Sequence, residues 1–414
     1  MICITDKHNC CGCSACVQVC PKKCIEFNED KDGFYYPQVN KETCIDCGLC
    51  EKICPCINEG VSRRPIKVYA AINPDLNVRM ESSSGGIFSI LAEYTIKKGG
   101  VVFGACYDSN WDIIHSYAEN LQDVVKFRGS KYVQSRIGDC YIKAKSFLKE
   151  GRLVLFSGTS CQIAGLKRFL QKDYDSLICV DVICHGVPSP LLWRNYLNQI
   201  IKRPEGVAGK NTVLSSLKDM PVITGISFRD KRNGWKKYGF VAYAKSAVKA
   251  DKNSVLSPNN PEKTEILLSE IHRDNLYMQF FLNNLCLRPS CYKCRSKSGK
   301  SGSDFTLADF WGIAEFNQEL DDDKGVSAVL VNTPKAQKIL IENNIDLYEY
   351  SYSQVYKRNR SLEHSVKEGR YVEKFWKTFH EGGFQACIPV LSLIKPPYIM
   401  KIYSFVVRMI RRVK

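Results

Sequence analysis

No stretch of this chain reaches the roughly 20 consecutive apolar residues that a membrane-spanning helix requires, so a bundle of such helices is excluded. No signal peptide is expected ahead of the first cysteine. The chain has neither a Walker A loop nor a G-x-G-x-x-G run, so the two commonest phosphate-binding signatures are missing. It carries no nucleic-acid recognition motif, and no nucleic acid is expected as a partner despite a net charge of +16. That charge is unevenly placed. Residues 1–60 hold six Lys and no Arg against nine Asp and Glu, so the remaining body is the strongly basic part. A basic body attracts anionic cofactors, acidic electron carriers or anionic membranes.

Cysteine, by contrast, is abundant, at 21 of 414 residues. Cys10, Cys13, Cys16 and Cys20-Pro21 form one run, and Cys44, Cys47, Cys50 and Cys54-Pro55 form another. Both read C-x2-C-x2-C-x3-C-P, the spacing of bacterial ferredoxins with two [4Fe–4S] clusters. Three closely spaced thiolates wrap one face of a cubane, and the fourth crosses to the other cluster. The expected ligand sets are therefore Cys10, Cys13, Cys16 and Cys54, and Cys44, Cys47, Cys50 and Cys20. A disulfide scaffold suits a small secreted domain instead, and zinc ribbons show pairs rather than runs of four. Cys3, Cys11, Cys24 and Cys56 fall outside the pattern and read as spare thiols near the clusters. This cysteine usage argues for a reducing compartment and a cytoplasmic location.

Residues 60–65 read as a linker. Strand and helix patterns then alternate: strands over Lys67–Asn73, Val101–Tyr107, Leu153–Phe156 and Leu177–Ile183, helices over Gly86–Lys98, Arg136–Lys149, Cys161–Leu170 and Pro190–Ile201. The alternation favours an α/β core with parallel strands. Val222–Phe228 and Tyr238–Ala244 read as a strand pair, Leu276–Leu285 as a helix, and Val326–Val331 as a strand followed by a helix to Ile341. Lys202–Met220 and Lys245–Lys263 read as polar loops. From Ile399 a terminal helix would place Ile402, Phe405, Val406, Met409 and Val413 opposite Lys401, Arg408, Arg411 and Arg412. Such a basic amphipathic helix either lies on an anionic membrane, at the inner face of the cell membrane, or packs on the protein itself.

Several loops carry candidate chemistry. Ser82, Ser83, Ser84, Gly85 and Gly86 precede a helix and read as a phosphate cradle or as a Ser-capped helix start. Arg128, Ser130, Lys131 and Tyr132 gather two cations, a hydroxyl and a ring, suited to a flavin or simply to an exposed basic loop. Cys161 opens a helix, where thiolate is favoured, and Cys184 follows the next strand. Both are expected at carboxyl ends of strands, where open sheets place ligands. With Cys291 and Cys294 they form a candidate third [4Fe–4S] site or a partly structural set. His185 reads most simply as a hydrogen-bonded core residue, and Asp309-Phe310-Trp311-Gly312 as a pocket lining or core packing.

Taken together the motifs resemble the coenzyme F420 hydrogenase/dehydrogenase β-subunit family, in the form with a fused N-terminal double-cluster ferredoxin. The matching segments are SSSGG at 82–86, RGSKY at 128–132, GTSCQ at 158–162, CHGVP at 184–188, FRDK at 228–231 with Gly234-Trp235, LRPSCYKC at 287–294 and DFTLADFWG at 304–312. Ser160 stands where members often have Pro. The resemblance implies an α+β ferredoxin-like double-cluster domain at 1–60 followed by an α/β flavin-binding domain with a mixed sheet, in parts spanning 66–150 and 151–345, and a helical extension at 346–414. It implies FAD held by the 82–86 and 128–132 segments, and a third cluster on Cys161, Cys184, Cys291 and Cys294, with Cys286 as the nearest substitute. The expected activity is oxidoreduction between clusters and FAD and on to a small organic substrate by hydride transfer, with a ferredoxin-like protein or partner subunit exchanging electrons. The alternatives are a non-catalytic relay subunit, or a membrane-peripheral component of a polysaccharide pathway.

Overall fold

In a computed structural model, which describes residues 1–202, 221–245, 265–343 and 345–394, the chain opens with a small antiparallel hairpin of β1 (Ile25–Glu29) and β2 (Tyr35–Val39). The two cysteine runs flank this hairpin. There follow β3 (Lys67–Ala71), β4 (Val101–Tyr107), β5 (Ile113–Ala118), β6 (Val154–Thr159) and β7 (Leu177–Val182). Next come β8 (Val222–Asp230), β9 (Gly239–Lys245), β10 (Glu265–Ile271), β11 (Phe305–Asp309), β12 (Ser327–Val331) and β13 (Leu347–Glu349).

Eight of these make one mixed sheet in the order β13-β3-β12-β11-β7-β6-β4-β5. Its centre, β11-β7-β6-β4, is parallel, and the flanking pairs are antiparallel. The parallel strands are covered on both faces, which is why β6 and β7 read as continuous apolar runs: Val154, Leu155, Phe156, Ile178, Cys179 and Val180 are all at most 1% exposed. One face packs on the helices Ile87–Lys97 and Pro334–Glu342. The other packs on the helices Cys140–Lys149 and Ser160–Leu170, and the N-terminal cysteine module joins that same core through Cys13, Ala15, Cys16 and Ile53. Strands β8, β9 and β10 form a second, antiparallel sheet. It shares a core with the helices Pro190–Lys202, Leu276–Leu282 and Val372–Ala386.

The alternating elements stand close to where the sequence pattern places them. The helix expected from Arg136 starts only at Cys140, because Arg136 is drawn into a bridge beside Ile114. Strands β1, β2, β5, β10, β11 and β13 are not anticipated by the pattern. The helical part of the C-terminal extension begins at Tyr352, since Leu347–Glu349 forms an edge strand on β3. The amphipathic segment from Ile399 and most of both polar loops lie outside the described residues. Among the described residues no helix is long and apolar enough to cross a membrane.

The cysteine module is docked by more than apolar contact. Gln18 Oε1 accepts the backbone N–H groups of Tyr141 (3.0 Å) and Ile142 (3.2 Å), capping the helix Cys140–Lys149 from a distant part of the chain. Helix N-termini leave such donors unpaired otherwise. Gln18→Ala is expected to cost about 1 kcal/mol, the usual worth of a helix cap, read as a lower urea midpoint at unchanged slope.

Candidate functional site

The two N-terminal runs share one backbone device. In each, the residues on either side of the middle cysteine have positive φ: Gly12 (72°) and Ser14 (56°) around Cys13, Asp46 (47°) and Gly48 (69°) around Cys47. Successive turns of this kind aim backbone N–H groups at a common point, as anion nests do. Cys20, Cys44, Cys47 and Cys50 line one small hollow together with Pro21, Cys24 and Gly48. Cys20 thus lies beside the second run. Cys24, one of the spare thiols, sits 3.4 Å from Cys20 Sγ. The other set is deeper: Cys10, Cys13, Cys16 and Cys54 are buried, while Cys47 is exposed. Cys13 and Cys10 both weigh on the Cys16 thiol, and Cys13 weighs on Cys54. Ile2 N–H donates to Cys50 Sγ at 3.4 Å.

The four later cysteines converge. Strands β6 and β7 are parallel neighbours, so their carboxyl ends set Cys161 and Cys184 side by side. Thr159 caps the helix carrying Cys161 in a reciprocal box with Gln162, and Thr159 Oγ1 lies 3.2 Å from Cys161 Sγ. The loop bearing Cys291 and Cys294 is tied to the Cys184 loop by a bridge between Pro188 and Leu287. Arg288 N–H donates to Val187 O at 2.9 Å, and Val187 N–H to Cys291 Sγ at 3.4 Å. The thiols of Cys161, Cys184 and Cys294 all bear on Cys291, and their mutual repulsion adds to burial in pushing it well up. Burial likewise pushes Cys184 up to about 12. Burial disfavours a lone thiolate at Cys184, Cys291 and Cys294, whereas its neighbour Cys11 draws the Cys161 thiol down to about 7; four such thiols together suit a positively charged metal centre. Among the described residues no three His, Cys, Asp or Glu side chains close on a single ion; cubane thiolates stand farther apart than that. Cys286 is not in this group: it is fully buried in the apolar core, with Cys387 bearing on it. His185 hydrogen-bonds Asn284 Oδ1 at 2.6 Å, edge-on to Phe281.

Cys11 links the two regions. Its thiol interacts with those of Cys13, Cys56 and Cys161, so a line of neighbouring sulfurs joins the first run to the converging set. Gly165 permits the approach: a Cβ there would stand 2.8 Å from Cys13 Cβ and 2.9 Å from Tyr141 Oη.

The Ser82–Gly86 and Arg128–Tyr132 segments also meet, through Ser130 N–H to Ser83 Oγ at 2.6 Å. The helix after Gly86 is not Ser-capped; Gly86 itself, at φ 86°, is its N-cap. The serine hydroxyls are largely spent on the protein: Ser82 donates to Val78 O and Ser84 to Val326 O. Arg128 bonds Glu81 (2.7 Å), and Lys131 Nζ bonds Arg128 O and Gly129 O. Burial pushes Lys131 down to about 8. Gly129 borders open space on the side a Cβ would occupy, and buried donors beside these segments lack partners, namely Tyr107 Oη and Arg229 Nε.

Residues 9–58 match the model of the 4Fe-4S dicluster domains. Residues 151–349 match the model that describes the C-terminal part of the coenzyme F420 hydrogenase/dehydrogenase beta chain. The chain thus joins a dicluster segment to a segment that matches the C-terminal part of that beta subunit. Among solved structures, a chain of the F420-reducing [NiFe] hydrogenase complex from Methanosarcina barkeri, studied as a xenon derivative, is similar at 14% identity over 77% of this chain and 92% of its own, with a TM-score of 0.43. A likeness of that depth carries no functional argument. Comparison with curated proteins gave no match.

The FRDK and DFTLADFWG motifs of this segment converge on the Ser82–Gly86 loop. Arg229 forms a two-pronged pair with Asp309 (2.9 and 3.3 Å) and also reaches Ser83 O and Tyr132 Oη. Trp235 donates to the same Asp309 and stacks on Trp311 at 4.4 Å. Lys231 gives an N–H to each of three carbonyls, Arg79 O, Ser84 O and Lys324 O. Three such acceptors call for an ammonium. Phe310 is core packing rather than a pocket wall. In the sequence, Arg229, Lys231 and Arg288 stand inside motifs with no role assigned to them; only Arg288, between Leu287 and Pro289, stands out as a basic residue among apolar ones.

Gly165 yields a clear test. Gly→Ala inside a helix ordinarily gains roughly 1 kcal/mol. Here Gly165→Ala is expected to destabilise, and Gly165→Val to do so by about 1–3 kcal/mol as an overpacked site, in urea unfolding.

Proposed function

We propose that this chain is an iron–sulfur flavoprotein oxidoreductase that exchanges electrons with a protein partner and delivers them to a small organic substrate by hydride transfer. In this reading Cys10, Cys13, Cys16 and Cys54 hold one [4Fe–4S] cluster, and Cys20, Cys44, Cys47 and Cys50 the second. Cys161, Cys184, Cys291 and Cys294 hold a third. FAD lies against Ser82, Ser83, Ser84, Gly85 and Gly86 and Arg128, Ser130, Lys131 and Tyr132. When bound, the clusters supply one-electron transfer and the flavin couples it to two-electron hydride chemistry.

The observation that carries this reading is the Cys13–Cys11–Cys161 contact, which sets thiols of the first and third sets side by side. Cys47 is exposed whereas the first set is buried, so an external electron carrier meets the second set. Near the flavin segments, Lys231 and the Arg229–Asp309 pair hold the Ser82–Gly86 loop from beneath, leaving its backbone shape independent of ligand. Arg128 and Lys131 place positive charge beside Gly129, where an anionic flavin or its phosphates would be favoured. The family description names subunits of larger assemblies, and this favours a second reading as a relay subunit whose substrate site lies on a partner.

Reconstituted anaerobically, the protein is expected to hold about twelve iron atoms, four per cluster, and extractable FAD. Cys161→Ala or Cys184→Ala should each remove about four; unchanged iron would return both thiols to structural roles. Reduced with dithionite and mixed with candidate acceptors, the lone chain should show acceptor-dependent flavin reoxidation. Reoxidation seen only with a co-purifying partner would decide for the relay.

A further inference from the structure

Arg288 is 0% exposed, and among the described residues it pairs with no carboxylate. Its Nε donates to Cys10 O (2.8 Å), Nη1 to Gln134 Oε1 (3.0 Å), and Nη2 to Tyr35 O (2.9 Å) and toward Cys10 Sγ (3.5 Å). The guanidinium lies over the Tyr36 ring at 4.2 Å. These neutral oxygens satisfy N–H groups but leave a full positive charge in the interior, which is strongly unfavourable without a counter-ion. Arginine does not escape by losing its proton.

The acidic groups that press on it most are sulfur and phenol, namely Cys10, Tyr36, Cys11 and Cys291, and Cys161 feels its charge as well. Its backbone belongs to the Cys291 loop, where Arg288 O accepts Cys291 N–H at 2.9 Å. Its side chain crosses into the Cys10–Cys13 loop. Gly12 leaves room for it: a Cβ there would stand 2.4 Å from Gln134 Nε2 and 3.0 Å from Arg288 Cζ. The cation therefore sits at the seam of two cysteine sets, donating to a sulfur of one and anchored one turn from a sulfur of the other.

We propose that Arg288 is the shared counter-cation of the first and third cysteine sets, and that it biases both toward the reduced state. This rests on the reading that those cysteines hold clusters. A reduced cluster carries one more negative charge than an oxidised one, so a fixed cation stabilises it more, and an N–H···S bond acts in the same direction. The second set, Cys20, Cys44, Cys47 and Cys50, lies outside its contacts. Electrons arriving at the second set, through its exposed Cys47, are thereby drawn inward.

The test is a dithionite titration followed by electron paramagnetic resonance on the full reconstituted chain, beside Arg288→Gln, Arg288→Lys and Gln134→Glu. Signals are assigned by their loss in Cys47→Ala and Cys161→Ala. Arg288→Gln should lower the midpoints of the first and third clusters and leave the second unchanged, at unaltered iron content. Arg288→Lys should restore most of the shift. Gln134→Glu keeps the arginine but pairs its charge in place, and should lower the same two midpoints. Unchanged midpoints in Arg288→Gln and Gln134→Glu at full iron content would overturn the proposal. So would loss of iron in both Arg288→Lys and Gln134→Glu, which would make the arginine a structural latch. Absence of clusters from the unmodified chain would instead sink the functional reading beneath it.

Discussion

Cys13 rests directly on the helix Ser160–Leu170, in a space only a glycine at position 165 leaves free. The relation between the two halves of the molecule depends on this approach. Because Gly165 lies one turn beyond Cys161, bringing Cys13 against it also brings Cys11 within reach of Cys161 Sγ. Electron tunnelling falls steeply with distance, so a redox protein gains from holding its sulfur ligands at a packed seam rather than across a mobile linker. Packed interiors hold positions to fractions of an ångström, which a tether would not.

That seam has an electrostatic cost. It collects thiols that burial drives toward the neutral form and that repel each other once ionised. Cations answer it from several directions. Arg288 enters from the Cys291 loop, Arg295 bonds Cys56 O and Asn9 Oδ1, and Lys297 bonds Cys184 O. All three come from the same short stretch, so the loop that contributes two thiols also contributes the charge that offsets them. The side with the Ser82–Gly86 and Arg128–Tyr132 segments is built differently. There Arg229 is paired with Asp309 and Arg128 with Glu81, and Lys131 meets backbone carbonyls beside Gly129.

The fold of the mixed sheet explains why the third set exists at all. Parallel strands β6 and β7 end on the same edge of the sheet, and each runs straight into a loop bearing a cysteine. The loop carrying Cys291 and Cys294 then closes over them through the Pro188–Leu287 bridge. In open sheets with parallel centres, ligands gather at the carboxyl ends of strands, and here the chain places Cys161 and Cys184 there.

The sequence alone determined the two N-terminal cysteine runs and the strand–helix alternation from residue 67 to 201, because each is encoded by spacing over a few residues. It also carried the family motifs. It did not reveal β5, β11 or β13, whose short segments acquire their structure from pairing with neighbours rather than from pattern. Nor did it show that Cys286 belongs to the apolar core, that Cys11 bridges two sulfur sets, or that Arg288 lies unpaired between them. Those facts depend on residues up to 278 positions apart meeting at one seam. Only the packed sheet, its covering helices and the docked cysteine module bring them together, since contact, burial and charge are properties of neighbours in space.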